Sequence, residues 1–463
     1  MKFGGASIAD AKAVLNAISI VKRYLGRGDQ VVVVVSALPK ITDKLLEVST
    51  IASDGDLEAV SHFIDEAAKL HEAVIAGCVR SPKIADEALQ DVRRTINELG
   101  GVLRSVALLK EITPRSRDFI LSFGERLSAP IFCASANDEG IPTEWLTGGT
   151  AGIITNENFG EAAPLMDVTA HKLKERMLPA LTAGKLLVVA GYGAESPNGV
   201  TTTLGRGGSD YTATLLGSAL DADETIIWKD IDGLMTADPK IVPDAKVLPS
   251  ISYAEACEMA YFGAKAIHPK ALEPAIEKQM PVKIRNAFNL ANEGTVINVG
   301  SPPLRKEVVK AVTLIDKVGM VTIIGTGMVG LIGAAARVFK VLGDANINIL
   351  MISQSSSEQG ISFVVQREKL QETITALERD VLGGVAKDVN AEADVCVIAA
   401  VGAGMKGAPG VAARLLKAVA DERVNVRMIA QGSSELNISF VVSETDGPKA
   451  VKAIHKEFDL TEE

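Results

Sequence analysis

An internal repeat constrains this chain of 463 residues more than any other feature. Gly325-Thr326-Gly327-Met328 returns as Gly402-Ala403-Gly404-Met405, and Ala335-Ala336-Arg337 returns as Ala412-Ala413-Arg414. Ile361-Ser362-Phe363-Val364-Val365 returns as Ile438-Ser439-Phe440-Val441-Val442, again at an offset of 77 residues. A duplicated folding unit follows from that regularity. Within the unit the pattern predicts a strand over 321–324, a glycine loop, a helix over about 334–342, strands over 347–352 and 361–365, and a helix over about 369–378. That is the β-α-β-β-α order of the ferredoxin-like βαββαβ plan, present twice. Gly325 to Gly330 also matches the G-x-G-x-x-G dinucleotide fingerprint. The reading fails because a dinucleotide half needs further βα units, and this unit turns back into a hairpin and closes. The glycine loop remains a cradle for a small carboxylate, since the first-turn N–H groups of the following helix are unpaired.

The first 300 residues read differently. β-branched runs over 31–36, 186–190, 225–228 and 282–285 alternate with longer helical patterns, which predicts an α/β domain with a mostly parallel sheet sandwiched by helices. Gly300-Ser301-Pro302-Pro303 cannot continue a helix and reads as a domain linker. A formal charge of −10 gives no reason to expect nucleic acid or an anionic membrane as a partner. The apolar runs over 31–35 and 186–190 are far shorter than a membrane helix requires. The N-terminus lacks a signal-peptide pattern, and Cys78, Cys133, Cys257 and Cys396 are widely spaced. Reduced thiols, a cytoplasmic location and no metal site made of cysteines are expected.

Four segments carry chemistry. Lys2-Phe3-Gly4-Gly5-Ala6-Ser7 sits where a strand turns into a helix predicted over 9–20. Its glycines let backbone donors approach a polyphosphate, and Lys2 supplies charge; a plain strand-to-helix turn would look the same. Gly205-Arg206-Gly207-Gly208-Ser209-Asp210 precedes a helix predicted over 211–220. Here Ser209 is of N-cap type, and Arg206 can grip a carboxylate bidentately; the alternative is a capped helix with an exposed arginine. Ser122-Phe123-Gly124-Glu125-Arg126-Leu127 offers Glu125 to an ammonium, or merely places a helix-surface carboxylate beside Arg126. Trp228 to Lys240, with its Asp-Gly and Asp-Pro turns, makes a long loop at a strand's C-terminal end, where open α/β sheets bind ligands.

Taken in order, K-F-G-G, V-S-A-x-x-x-x-T-D (36–43 from the serine), S-F-G-E-R-L-S, G-R-G-G-S-D, W-K-D-x-D-G-x-x-T-x-D-P and F-G-A-K-x-x-H-P (262–269) resemble the aspartate kinases of the amino-acid-kinase fold. The paired repeats resemble that family's ACT regulatory domains. The resemblance implies a kinase domain over 1–300 and ACT domains over 312–388 and 389–463. It implies transfer of the γ-phosphoryl of ATP, with Mg2+, to the β-carboxylate of L-aspartate, opening lysine, threonine and methionine biosynthesis. Lys2, Gly4, Gly5 and Ser7 would meet the phosphates, with Lys265 closing from the other side. Lys229, Asp230, Met235 and Lys240 would line the adenosine. Ser36, Thr42, Glu125, Arg206 and Ser209 would hold aspartate, and Asp210 would organise the reacting centre with Lys2.

The nucleophile is a carboxylate, ionised at neutral pH, so no general base is needed and no dedicated metal cage is expected. In the repeats Met328, Asn348, Ile349 and Gln354, with Asn425 and Gln431, fall where related ACT domains take an amino acid, lysine or threonine. Paired ACT edges imply a homodimer or homotetramer. The length leaves no stretch for the homoserine dehydrogenase fused to some relatives, so none is expected within these residues. Ala6 stands where many relatives carry a hydroxyl, Met235 stands where many carry an aromatic residue, and the first strand is very short. A kinase for another acceptor, such as glutamate or a nucleoside monophosphate, and an inactive amino-acid sensor are the competing readings.

Overall fold

The computed structural model describes residues 1–264, 266–300, 308–325, 332–355, 359–382 and 386–461. They form two compact units, one of residues 1–234, 249–253 and 266–300, the other of the described parts of 235–248, 254–265 and 301–463.

The β-branched runs of the first unit become β1 (Lys2–Phe3), β2 (Val32–Val35), β3 (Thr143–Leu146), β4 (Leu186–Ala190), β7 (Thr225–Lys229), β8 (Ser250–Ser252), β9 (Val282–Asn286) and β10 (Thr295–Asn298). They make one eight-stranded sheet of order β3-β4-β2-β1-β7-β9-β10-β8. Neighbours from β3 through β9 are parallel, and only β9 and β10 meet antiparallel. A separate hairpin joins β5 (Gly193–Glu195) to β6 (Thr201–Thr203).

One face of the sheet carries Phe3, Val33, Val35, Leu186, Val188, Ala190 and Trp228 into a core shared with helices Ala11–Leu25, Leu57–Cys78 and Pro114–Asp138. Phe3 stacks on Trp228 with centroids 6.2 Å apart. Burial of such rings is the main stabilising term here. β1 has two residues but is central, paired on both sides, so the short first strand noted in the sequence is held by its neighbours.

In the second unit the repeats build one six-stranded antiparallel sheet of order β12-β13-β11-β14-β16-β15. Its strands are β11 (Ala311–Ile324), β12 (Met351–Gln354), β13 (Gly360–Gln366), β14 (Asp388–Val401), β15 (Met428–Gln431) and β16 (Asn437–Ser443). The order is symmetric about the β11–β14 pair, and the predicted helices form at Ala334–Asp344 and Leu370–Asp380, with copies at Val411–Asp421 and Gly447–Glu457.

β11 and β14 are each 14 residues long, where the pattern predicts a strand over 321–324 and its repeat. Residues 318–324 of β11 pair with β13, but residues 311–315 pair with residues 397–401 of β14. Each repeat thus takes its last strand from the front half of the other's long strand. The two apolar clusters, one around Phe363 and one around Phe440, lie on the helix side of this shared sheet. Residues 235–248 are stitched to the second cluster. Ala237 and Val242 belong to it, Val312 N donates to Thr236 O at 2.8 Å, and Thr236 Oγ1 is 2.9 Å from His455 Nε2.

Candidate active site

Strand register brings the first charged cluster together. Lys2 lies opposite Ile227 and Phe3 opposite Trp228. Since side chains alternate across a strand, Lys2, Ile227 and Lys229 share the face away from the Phe3–Trp228 core. Helix Gly208–Ala219 covers that face, and its first turn carries Asp210. Lys2 Nζ reaches Asp210 Oδ1 at 2.6 Å, and Lys229 Nζ reaches Oδ2 at 3.2 Å. Burial alone would raise the Asp210 carboxyl, but the charges of Lys2 and Lys229 outweigh it and hold the group below the usual carboxylate range. Burial pulls Lys229 below the ordinary lysine range, against the attraction of Asp210. Two cations around one anion leave a positive remainder beside Gly4, where a bound anion would complete the balance.

Glu125 stands behind this cluster on helix Pro114–Asp138, almost fully buried. Ser209 Oγ donates to its Oε1 at 3.3 Å, and its Oε2 is buried with no hydrogen-bond partner among the described residues. Desolvation lifts its carboxyl to about 7. A buried, half-ionised acid with one unanswered acceptor is a receptor for a cationic donor. Gly124 lets the neighbouring chain approach: a Cβ there would come within 2.9 Å of Ala37 Cβ and 3.6 Å of Thr42 Oγ1. Beyond Ser122, on the same helix, a cavity of about 230 Å3 is lined by Arg126, Gly191, Gly193 and Glu195.

Arg206 projects from between Gly205 and Gly207, whose φ values of 77° and 73° are left-handed and suit glycine. It is exposed, and among the described residues no carboxylate pairs with it. His268 packs against Gly207, and burial, with Arg206 and Lys270 nearby, lowers its pKa.

This arrangement has counterparts among known proteins. The amino acid kinase family model matches residues 1–286, and an ACT domain model matches residues 321–381 and 398–458. Aspartokinase 1 of Arabidopsis thaliana, a chloroplastic protein, is 32% identical over all of this chain and 81% of its own length. The chain belongs to the aspartokinases of the amino acid kinase family. The structure of Escherichia coli aspartokinase III with aspartate and ADP superposes with a TM-score of 0.82 at 28% identity, covering 98% of both chains. The same enzyme with lysine and aspartate gives 0.80, also at 28% identity, covering 99% of this chain and 98% of that one. A bifunctional aspartokinase/homoserine dehydrogenase of A. thaliana is 30% identical, and this chain spans 51% of its length.

The structure places the other expected residues as follows. Ser7 is fully buried, and its hydroxyl donates to Trp228 O at 3.2 Å. Ser209 does not cap its helix, since Gly207 holds the cap position and the Ser209 hydroxyl turns to Glu125. Lys229 reaches Asp210. Lys265 and Met328 lie outside the described residues.

The remaining residues are placed as follows. Ser36 follows β2, half-buried, with its carbonyl accepting from Ser128 Oγ at 2.7 Å. Asp230 is exposed after β7. Met235, half-buried and bridged to Val247, and Lys240, exposed, belong to the second unit. Asn348, Gln354, Asn425 and Gln431 are all exposed, while Ile349 packs against the first repeat's core. Tyr192 was missed from sequence. It holds a left-handed φ of 67° between Gly191 and Gly193 and lies against Gly208, and a positive φ on an aromatic residue leaves no mark in a sequence pattern.

Proposed function

We propose that this chain is a feedback-regulated aspartate kinase, transferring the γ-phosphoryl of ATP to the β-carboxylate of L-aspartate. The observation that carries the proposal is the Lys2–Asp210–Lys229 cluster set beside Glu125, whose one oxygen lacks a partner. Aspartate is a zwitterion with a second carboxylate, and three features answer its three charges. Glu125 takes the ammonium, Arg206 the α-carboxylate, and Lys2 with Lys229 stabilises the anionic side where phosphoryl transfer occurs. Ser36, Thr42 and Ser209 complete the acceptor site.

Asp210, held ionised between two lysines, orients them and does not act as a base. The nucleophile needs none. Lys2, Gly4 and Gly5 hold the nucleotide phosphates, and Asp230 lines the nucleoside. Both Asp210 oxygens already face lysines, and among the described residues no group of three or more His, Cys, Asp or Glu is arranged for a metal. Mg2+ would arrive with the nucleotide phosphates and would supply positive charge to the transferring group.

Residues 1–300 then form the kinase domain, with ACT domains over 312–388 and 389–463. The effector is lysine or threonine, held by Asn348, Ile349 and Gln354, with Asn425 and Gln431 as partners. Lysine is favoured by its presence in the E. coli relative. Two chains pair through their ACT domains into a homodimer or homotetramer; β12 and β15 are the outer strands of the six-stranded sheet. Among the described residues no helix is long and apolar enough to cross a membrane.

ADP release from ATP and Mg2+ tests the reading with L-aspartate, L-glutamate or UMP as acceptor, repeated in Arg206→Ala and with added lysine or threonine. Turnover with aspartate alone, weakened in the variant, is expected. Turnover only with glutamate or UMP would replace the acceptor, and no turnover while an amino acid still binds would leave a sensor.

A further inference from the structure

The second repeat's glycine loop has a partner of its own outside the repeat's strands and helices. In the second repeat, Gly402-Ala403-Gly404-Met405 forms a tight turn ahead of helix Val411–Asp421. Its leading amide is already answered: Ala403 N donates to Glu255 Oε1 at 2.7 Å. Glu255 is 1% exposed, and its Oε2 lies 3.3 Å from Lys310 Nζ. A carboxylate, a backbone donor at a glycine turn and a balancing ammonium are the elements by which such a loop would hold an amino-acid carboxylate.

Glu255 belongs to helix Tyr253–Tyr261, which touches the repeats elsewhere too. Glu258 accepts from Asn437 Nδ2, and Tyr261 OH donates to Ile349 O and Leu350 O at 3.2 and 3.1 Å. The glycine turn is closed behind Ala403 as well. A Cβ on Gly402 would lie 2.5 Å from Val308 O, and Met405 is buried in the apolar cluster.

We propose that Glu255 is the resident ligand of the second repeat's glycine loop, so that this repeat anchors helix Tyr253–Tyr261 in place of binding a free amino acid. The inference rests on reading the repeats as amino-acid-binding domains. It narrows that reading: an effector that uses Asn425 and Gln431 takes its carboxylate contact from outside this loop, and each chain holds one equivalent.

Hydrogen exchange on the full chain tests it. In Glu255→Ala the Ala403 amide should exchange about tenfold to a hundredfold faster, the range of a hydrogen bond to a charged partner. Sodium acetate, but not sodium chloride at equal ionic strength, should restore part of the protection. Unchanged exchange overturns the proposal. If that variant does not fold, Glu255→Gln is read the same way with a smaller acceleration.

Ala403→Pro removes the donor and leaves Glu255 intact, at a position following extended backbone (Gly402 φ 173°, ψ 132°) where proline is tolerated. Its effect on the thermal midpoint should not add to that of Glu255→Ala, and full additivity also overturns the idea. Calorimetry separates this proposal from the reading beneath it. No binding of lysine or threonine to the wild type ends the regulatory reading, whereas two equivalents of one amino acid per wild-type chain end only the proposal.

Discussion

Glu125→Gln should make the ligand-free protein more stable above neutral pH while disabling it as an enzyme. The Glu125 carboxyl ordinarily ionises at 4.5, and burial moves it to about 7. The folded chain therefore keeps this proton after the unfolded chain has lost it. With more protons bound to the native state, stability falls as pH rises from 4.5 to about 7 and levels off beyond. The interval corresponds to roughly 3 kcal/mol.

Glutamine cannot ionise, so the variant should match the wild type below pH 4.5 and exceed it by up to about 3 kcal/mol at pH 8. Urea unfolding followed by the fluorescence of Trp145 and Trp228, both in the first unit, reads this directly. Parallel wild-type and variant curves between pH 5 and pH 8 would refute the reasoning. The same titration shapes catalysis, because an ammonium prefers the ionised acid. The ionised fraction rises from about one-tenth at pH 6 to about nine-tenths at pH 8, so KM for aspartate should fall about tenfold over that window. In the variant KM should be high and flat.

Further outcomes are expected. Lys2→Ala takes the nearer cation from Asp210, and kcat should drop about a thousandfold with KM for aspartate little changed. A drop below tenfold would remove Lys2 from the reacting centre. Arg206→Ala should raise KM for aspartate about tenfold to a hundredfold, with the thermal midpoint unmoved because its guanidinium pairs with no described carboxylate. A lower midpoint with unchanged KM would make Arg206 structural. Phe363→Ala and Phe440→Ala, each fully buried in its own repeat, should each cost about 3–5 kcal/mol. Both should shift the same calorimetric transition, and separate transitions would show the repeats melting independently.

Much of the architecture was written in local pattern. The valine run before Ser36 and the Leu186–Ala190 run became central strands, and the 77-residue offset marked the duplicated unit before any contact was known. The glycine-flanked Arg206 and the Glu125 of S-F-G-E-R could likewise be picked out by chemical type. Partnership was not legible. That Lys229 meets Asp210 depends on Lys2 lying opposite Ile227, a register that no single segment contains. That the Ser7 hydroxyl donates to Trp228 O depends on two segments more than 200 residues apart. Glu255 is one acid among 58 Asp and Glu residues, and only the fold brings it to Ala403. Repeat periodicity also concealed the exchange of strands, because residues 311–315 and 388–392 pair outside their own repeat while keeping the 77-residue spacing.

That exchange has a consequence for how the paired repeats can be cut. A fragment ending between the repeats would lack β14 and leave the inner edge of β11 bare along its whole length. Neither half is a module that can be lost, transplanted or grafted by itself. Because each copy leans on the other's backbone, a mutation that disrupts one long strand disturbs the folding of both. Surface positions can differ between the copies, but the shared β11–β14 ladder ties their backbones into one sheet.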